Sequence, residues 1–338
     1  MSFHNLSISV LKVGRQLAGS LAVAAFFLPS LTGCIKEEKP VTPHEPGDVI
    51  TRTVELSQDY RYQVFYSLEK DSIISRNLKT DWDFSFESHT EGSKVFLNSS
   101  RFMSAWKTGQ DDIAAVNDTF GYYNNRRWDA SNQTDTVAIG DVKNLSKVFW
   151  VDRGYDENGD DMGYMKIKFV SVDNERYVIQ VQKQGETQVK THQIIKNYSR
   201  NFSYFSLKTN TQVTIEPNKN DWDLLFTQYI HNFKDPYLPY LVTGVLLNPY
   251  NTLAAVDSTL DFNKIDITVA NNFKLRAAPD VIGYGWKEFG FSNSIYKVFA
   301  HWNFVVRDSK SLFYKLHFID FYNDKGTKGY PKFELQKL

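Results

Sequence analysis

The sequence predicts an all-β protein made of two tandem, antiparallel, β-sandwich-like domains arising from an internal duplication. Three observations carry that expectation. Lys79-Thr-Asp-Trp-Asp-Phe-Ser-Phe86 recurs as Lys219-Asn-Asp-Trp-Asp-Leu-Leu-Phe226, and flanking matches keep the same order: Phe65-Tyr-Ser-Leu-Glu69 with Tyr204-Phe-Ser-Leu-Lys208, and Ile113-Ala-Ala-Val-Asn-Asp-Thr119 with Leu253-Ala-Ala-Val-Asp-Ser-Thr259. Lys147-Val-Phe149 matches Lys297-Val-Phe299, and Tyr164-Met-Lys-Ile-Lys-Phe169 matches Phe313-Tyr-Lys-Leu-His-Phe318. Tyr, Phe, Val and Ile fall in short runs bounded by Asn, Asp, Gly and Ser, and aromatics make up 15% of the chain, as strands prefer.

The runs alternate with a period of two. Tyr62, Val64, Tyr66 and Leu68 alternate with Arg61, Gln63 and Ser67; Met165, Ile167 and Phe169 alternate with Lys166 and Lys168; Tyr177, Ile179 and Val181 alternate with Gln180 and Gln182. Such a pattern predicts strands with one buried and one wet face. Asn158-Gly159 predicts a hairpin turn joining 147–155 to 163–170. Residues 253–262 have room for a short helical turn. The expected domains are 52–198 and 199–338, the first a degenerate copy of the second.

Residues 1–33 read as a lipoprotein signal peptide. Lys12 and Arg15 precede an apolar stretch from Leu17 to Leu31, shorter than the ~20 residues that span a bilayer, and Leu31-Thr-Gly-Cys34 resembles a bacterial lipobox. Cys34 is the only cysteine, so acylation (palmitate, in the two or three chains of a bacterial lipoprotein) rather than a disulfide is its expected use. Residues 34–51 are polar and Pro-rich, as in a flexible tether. Cys34-Ile-Lys-Glu-Glu38 resembles the signal that sends some Bacteroidetes lipoproteins to the cell surface. The expected location is therefore the bacterial outer membrane, lipid-anchored and facing outward.

Lys+Arg and Asp+Glu both number 39, so no global field draws nucleic acid or anionic lipid to the chain. No histidine pair has zinc spacing and no second cysteine is present. Asp156-Glu-Asn-Gly-Asp-Asp161 has its Gly too early for a calcium loop and suits a turn better. Asp81/Asp83 and Asp221/Asp223 lie two apart, a spacing of about 7 Å that suits a glycosidase pair, yet their recurrence in both copies favours carboxylates that cap strand starts. No nucleophile–base set or phosphate loop appears, and the chain is not expected to be an enzyme. Asp71-Ser-Ile, Asp135-Thr-Val and Asp257-Ser-Thr match a short Bacteroidetes glycosylation pattern.

In the second copy, Asp221-Trp-Asp-Leu-Leu-Phe226, Phe304-Val-Val-Arg-Asp308, Phe313-Tyr-Lys-Leu-His-Phe-Ile-Asp-Phe-Tyr322 and Gly329-Tyr-Pro-Lys-Phe-Glu-Leu-Gln336 resemble the HmuY-like family of Bacteroidetes haem-binding lipoproteins. The resemblance implies an all-β domain, haem or a related tetrapyrrole as ligand, and delivery to a TonB-dependent outer-membrane receptor. It also implies axial His or Met ligands in loops on either side of Trp286, but residues 253–300 contain neither, and nor do residues 104–161 of the first copy. Near the expected mouth stand Tyr284, Trp286, Phe289 and Phe291, of which Tyr284 alone could ligate iron. His231 lies in an aromatic insertion absent from copy one, with Phe233, Tyr237 and Tyr240. His301 is expected to pack in a strand and His317 to be solvated. The missing ligands leave an alternative: the same scaffold binding a glycan, peptide or host protein through exposed aromatics.

Overall fold

The computed structural model describes residues 45–119, 121–132 and 137–338. The signal segment, Cys34, His4, His44 and Asp135 lie outside the described residues. The chain runs through β1 (Ile50–Thr53), β2 (Tyr62–Ser67), β3 (Ser72–Leu78), β4 (Phe84–Glu87), β5 (Lys94–Leu97), β6 (Ser104–Lys107), β7 (Gly140–Asp141), β8 (Val148–Asp152), β9 (Tyr164–Val172) and β10 (Arg176–Lys183). It continues through β11 (Lys190–Ile195), β12 (Phe202–Ser206), β13 (Thr211–Val213), β14 (Leu224–Lys234), β15 (Tyr237–Leu247), β16 (Leu253–Asp257), β17 (Lys287–Gly290), β18 (Ile295–Val298), β19 (Asn303–Arg307), β20 (Phe313–Tyr322) and β21 (Lys328–Lys337). All ladder pairings are antiparallel. The protein is all-β, as the periodicity predicts. Residues 253–262 differ: they form β16 and a loop, and a 3-10 turn spans Phe262–Lys264 instead.

The sheets make two sandwiches. In one, the sheet ordered β13-β12-β4-β5-β7 packs on β11-β10-β9-β8-β6 through Phe84, Phe86, Phe149, Ile167, Ile179 and Phe205. In the other, β3-β2-β14-β15 packs on β1-β21-β20-β19-β16 through Val64, Tyr66, Phe226, Trp286, Phe318 and Phe333. The pairings cross the expected 198/199 boundary. Phe205 pairs with Phe84 and Phe202 with Glu87, while Leu224 pairs with Tyr66 and Phe226 with Val64. One sandwich is therefore a continuous run, residues 79–213, whereas the other joins 214–338 to the N-terminal strands in 45–78.

Equivalent polar contacts hold each inner sheet. Asp83 Oδ2 accepts the Leu207 amide at 2.7 Å, and Asp223 Oδ2 accepts the Leu68 amide at 2.7 Å. Asn98 Nδ2 donates to the carbonyls of Lys79 and Trp82, and Asn248 Nδ2 to those of Lys219 and Trp222. The recurring Asp and Trp positions thus order the turn that begins each inner sheet. A buried donor or acceptor left unmatched would cost ~1–3 kcal/mol, which is why these side chains specify the turn.

Trp82 and Trp222 belong to one cluster between the sandwiches. Phe65, Trp82, Tyr204, Ile215 and Trp222 form a cluster sandwiched by the two inner sheets. Trp82 packs edge-on against Tyr204 and Trp222 against Phe65, both at 4.9 Å between centroids. Trp82 Nε1 donates to Gln63 Oε1 at 2.7 Å across the junction. The prediction of a wet face on β2 therefore fails. Val64 and Tyr66 enter one core, Phe65 enters the other, and Gln63 is buried as well, because this sheet is an inner layer with protein on both sides.

Ionisable groups are buried in these layers. Asp83 pairs with Arg101 Nη1 and Arg153 Nε, both at 2.9 Å. Asp223, at the equivalent position, has no guanidinium beside it, and burial pushes its carboxyl up to about 6. Glu216, on the segment leading from β13 to β14, accepts from the Phe202 amide, Asn201 Nδ2 and Trp222 Nε1, yet burial pushes it up to about 7.

Two outcomes are expected. A fragment of residues 79–213 carries every strand of its sandwich and should unfold cooperatively as a monomer, whereas 52–198, lacking β12 and β13, should aggregate or fail to fold by circular dichroism and gel filtration. Cooperative monomeric folding of 52–198 with failure of 79–213 would overturn the assignment. For Glu216, the folded carboxyl titrates above its ordinary 4.5, so its stabilising contribution is complete below pH 4.5 and lost as pH rises through about 7. Urea unfolding of Glu216→Gln should show a shallower decline between pH 5 and 8, with the wild-type excess loss amounting to about 3 kcal/mol.

Candidate functional site: the aromatic hairpin and the inter-sandwich cavity

β14 and β15 pair along their whole length, which brings His231 opposite Tyr240 and Phe233 opposite Leu238. At the far end of this hairpin Phe233, Tyr237, Leu238 and Tyr240 are each 42–50% exposed. His231 lies edge-on to Phe233 at 5.3 Å and to Tyr284 at 5.2 Å, and Phe233 is 6.0 Å from Tyr240. Asp280 Oδ2 stands 3.7 Å from His231 Nδ1, and Asn132 Nδ2 stands 3.5 Å from Nε2. His231 Nδ1 is buried without a hydrogen bond. Burial, then Asp280 and Tyr240, push the Tyr284 phenol up, so it holds its proton.

The loop carrying Asp280 and Tyr284 is fastened across β15. Val245 and Gly283 exchange both amide hydrogen bonds at 3.0 Å. Gly244 is required for this approach: a Cβ there would sit 2.3 Å from the Gly283 carbonyl oxygen. Gly283 itself has a φ of +61° and abuts Asp280.

The structure thus unites His231, Tyr240 and Tyr284, with Tyr237 farther along the same hairpin, but separates the other expected mouth residues from them. Trp286 is fully buried, stacked at 3.9 Å on Phe318, and donates from Nε1 to the Gly283 carbonyl. It is a core residue, because it closes the sandwich behind the loop that it anchors. Lys287 follows it, capped by the Thr243 carbonyl and enclosed by the faces of Trp286 and Phe321; burial pushes its amine down to about 7. Phe289 and Phe291 belong to the β17–β18 hairpin, where Phe289 packs on Tyr296 and Phe291 is 85% exposed. His317 is not solvated: it bonds to Glu334 and the Ala300 carbonyl and stacks at 4.2 Å on Phe262. His301, expected to be packed, is exposed.

A haem site needs an axial ligand at the edge of an apolar surface. The segments flanking Trp286 supply no such ligand. The His231 cluster fits in that respect, since an imidazole whose Nε2 is met by Asn132 at 3.5 Å stands beside Phe233, Tyr240 and Tyr284 at an exposed hairpin. Among the described residues, no group of three or more His, Cys, Asp or Glu is placed to hold a metal ion.

Sequence reasoning missed a second feature. A cavity of about 270 Å3 opens between the two inner sheets, walled by Trp82, Trp222, Phe96, Leu225 and Leu246 with Gln63 at its base. Its signal was in view as the repeated Trp, whose shared role is to line this junction.

The family model for HmuY protein matches residues 197–335 of the chain. No curated protein matches the chain. Among solved structures, the chain is similar to an apo HmuY analog from Tannerella forsythia at 10% identity, over 87% of this chain and 97% of that one, with a TM-score of 0.25. It is similar to apo PinO from Porphyromonas gingivitis at 8% identity, over 86% and 97%, with a TM-score of 0.25. A protein described as HmuY-like and heme binding, from Bacteroides vulgatus, aligns at 9% identity over 85% and 90%, with a TM-score of 0.23. Superpositions of this size transfer neither fold nor ligand.

Gly244→Ala is expected to push the 280–287 loop off β15, separating Tyr284 from His231 and lowering stability by about 2 kcal/mol or more in urea unfolding. An unchanged unfolding midpoint would show that the close approach has no structural weight.

Proposed function

We propose that the protein is a lipid-anchored surface protein of the bacterial outer membrane, acylated at Cys34, that captures haem or a related tetrapyrrole and passes it to a TonB-dependent receptor. The observation that carries this reading is His231, held among Phe233, Tyr240 and Tyr284 at an exposed hairpin within the HmuY-like region. Haem, when bound, supplies an iron that accepts an axial nitrogen and a flat apolar macrocycle that seeks aromatic cover. Asp280 beside Nδ1 favours the tautomer protonated there, which leaves the Nε2 lone pair available after Asn132 withdraws. Tyr284 is the weaker candidate, since its buried phenol resists ionisation. We also read the two sandwiches, with their matching strand orders, as products of duplication, with the HmuY-like ligand site developed in the second copy alone.

The exposed Phe233, Tyr237 and Tyr240 favour a second reading, in which the same hairpin stacks on a glycan or grips a peptide or host protein. One experiment separates the two. The soluble fragment 45–338 titrated with hemin should give a saturable Soret shift, weakened at least tenfold in His231→Ala with the thermal midpoint unchanged. No saturable shift with oxidised or reduced iron removes the haem reading, and retention on glycan or protein arrays lost on replacing the three aromatics would then support the second.

A further inference from the structure

We propose that the cavity between the inner sheets is a binding site for a small, neutral aromatic molecule with one polar edge, distinct from the His231 hairpin. The void has an identifiable origin. Along β4, Phe84 and Phe86 point into one sandwich core while Ser85 faces the other sandwich; along β14, Leu224 and Phe226 enter their core while Leu225 and Thr227 face back. Ser85 occupies the position that Leu225 fills in the second copy. The missing side chain leaves room where the two faces would otherwise interdigitate, as sheets packed about 10 Å apart normally do.

The walls select the ligand class. Trp82 and Trp222 flank the space, each already braced edge-on by one ring, Tyr204 or Phe65, so both indoles are held in place before a ligand arrives. A flat apolar ring meets rigid aromatic surfaces there at little entropic cost. The lining amides and hydroxyls are hydrogen-bonded in a chain whose far end rests on an ammonium outside the lining: Gln63 Nε2 donates to Thr227 Oγ1, Thr227 donates to the Gln228 carbonyl, and Gln228 Oε1 accepts from Lys79 Nζ. Ser85 supplies a hydroxyl that bonds to none of them. The nearest carboxylate in the wall, Asp129, is occupied by the Leu97 and Ala138 amides. With Asp129 engaged by two amides and Lys79 by Gln228, a charged ligand meets no available counter-ion in the lining, whereas a hydroxyl or amide edge finds Ser85 and the Gln63 chain. The volume, about 270 Å3, lies below the ~300–1,000 Å3 of drug-sized sites and excludes a tetrapyrrole.

The test uses p-cresol as the probe on fragment 45–338, followed by calorimetry and saturation-transfer NMR. Saturable binding with Kd below about 1 mM is expected. Ser85→Leu, which copies the second sandwich, should reduce it at least tenfold, and Ser85→Ala should keep the ring contacts and lose less. Leu225→Phe fills the same space from the opposite wall and should also abolish binding, which covers the case in which Ser85→Leu misfolds. Absence of saturable p-cresol binding, or binding undiminished by both filling variants, overturns the proposal. The hemin response of Ser85→Leu should equal that of the wild type, so failure of one site is distinguishable from failure of the other.

Discussion

The pairing of β2 with β14 is the constraint on which the rest of the molecule depends. It joins Tyr66 to Leu224 across nearly half of the chain, and Asp223 locks it from both sides, its amide donating to the Tyr66 carbonyl and its carboxylate accepting the Leu68 amide. Without this closure β14 would present a free edge, and the Trp286 core would lose Val64, Tyr66 and Leu68 from one wall. Closing so distant a contact has an entropic cost that grows only slowly with loop length, roughly 0.6 kcal/mol per doubling, so burial of three large side chains exceeds it. The first sandwich closes in the same way, through the distant pair β12 and β4, but within one continuous stretch of chain.

This difference explains what was legible in the sequence. Strands such as Tyr164–Val172 announce themselves by period-two alternation, although the polar face is partly covered too, with Lys166 buried and its amine donating to the Ile113 and Val116 carbonyls. The repeated Asp-Trp-Asp marks equivalent turns, since Asp83 and Asp223 perform the same backbone capping. What alternation could not reveal is which hairpin closes which sheet. Both Phe65 and Tyr204 sit in compatible strands, and only the packing of Trp82 on Tyr204 and Trp222 on Phe65 decides between them. Trp286 misled for a related reason: an aromatic near the expected mouth reads the same in sequence whether it lines a pocket or anchors the loop behind it.

His231 was legible as an outlier, through an insertion in one copy. Its environment was not, because Tyr284 and Asp280 arrive from a loop that crosses β15 only where Gly244 lacks a side chain. Sequence distance hides such a meeting, and a single glycine permits it.

The first sandwich takes part in that site. Its segment Trp128–Asn132 runs alongside the hairpin: Ala130 and Ile230 form a parallel bridge, the Ser131 amide donates to the Ile230 carbonyl, and Trp128, Ala130 and Ile230 share a core. Asn132 and Asn232 then exchange bonds, Asn132 Nδ2 donating to the Asn232 carbonyl and the Asn232 amide donating to Asn132 Oδ1. Both strands of the hairpin extend past the sheet they belong to, and an isolated two-stranded ribbon is marginal in water. The contacts from Trp128–Asn132 supply the third partner that fixes its direction, and with it the position of His231. The first sandwich therefore works as a brace for the hairpin of the other, and its Asn132 side chain stands 3.5 Å from His231 Nε2.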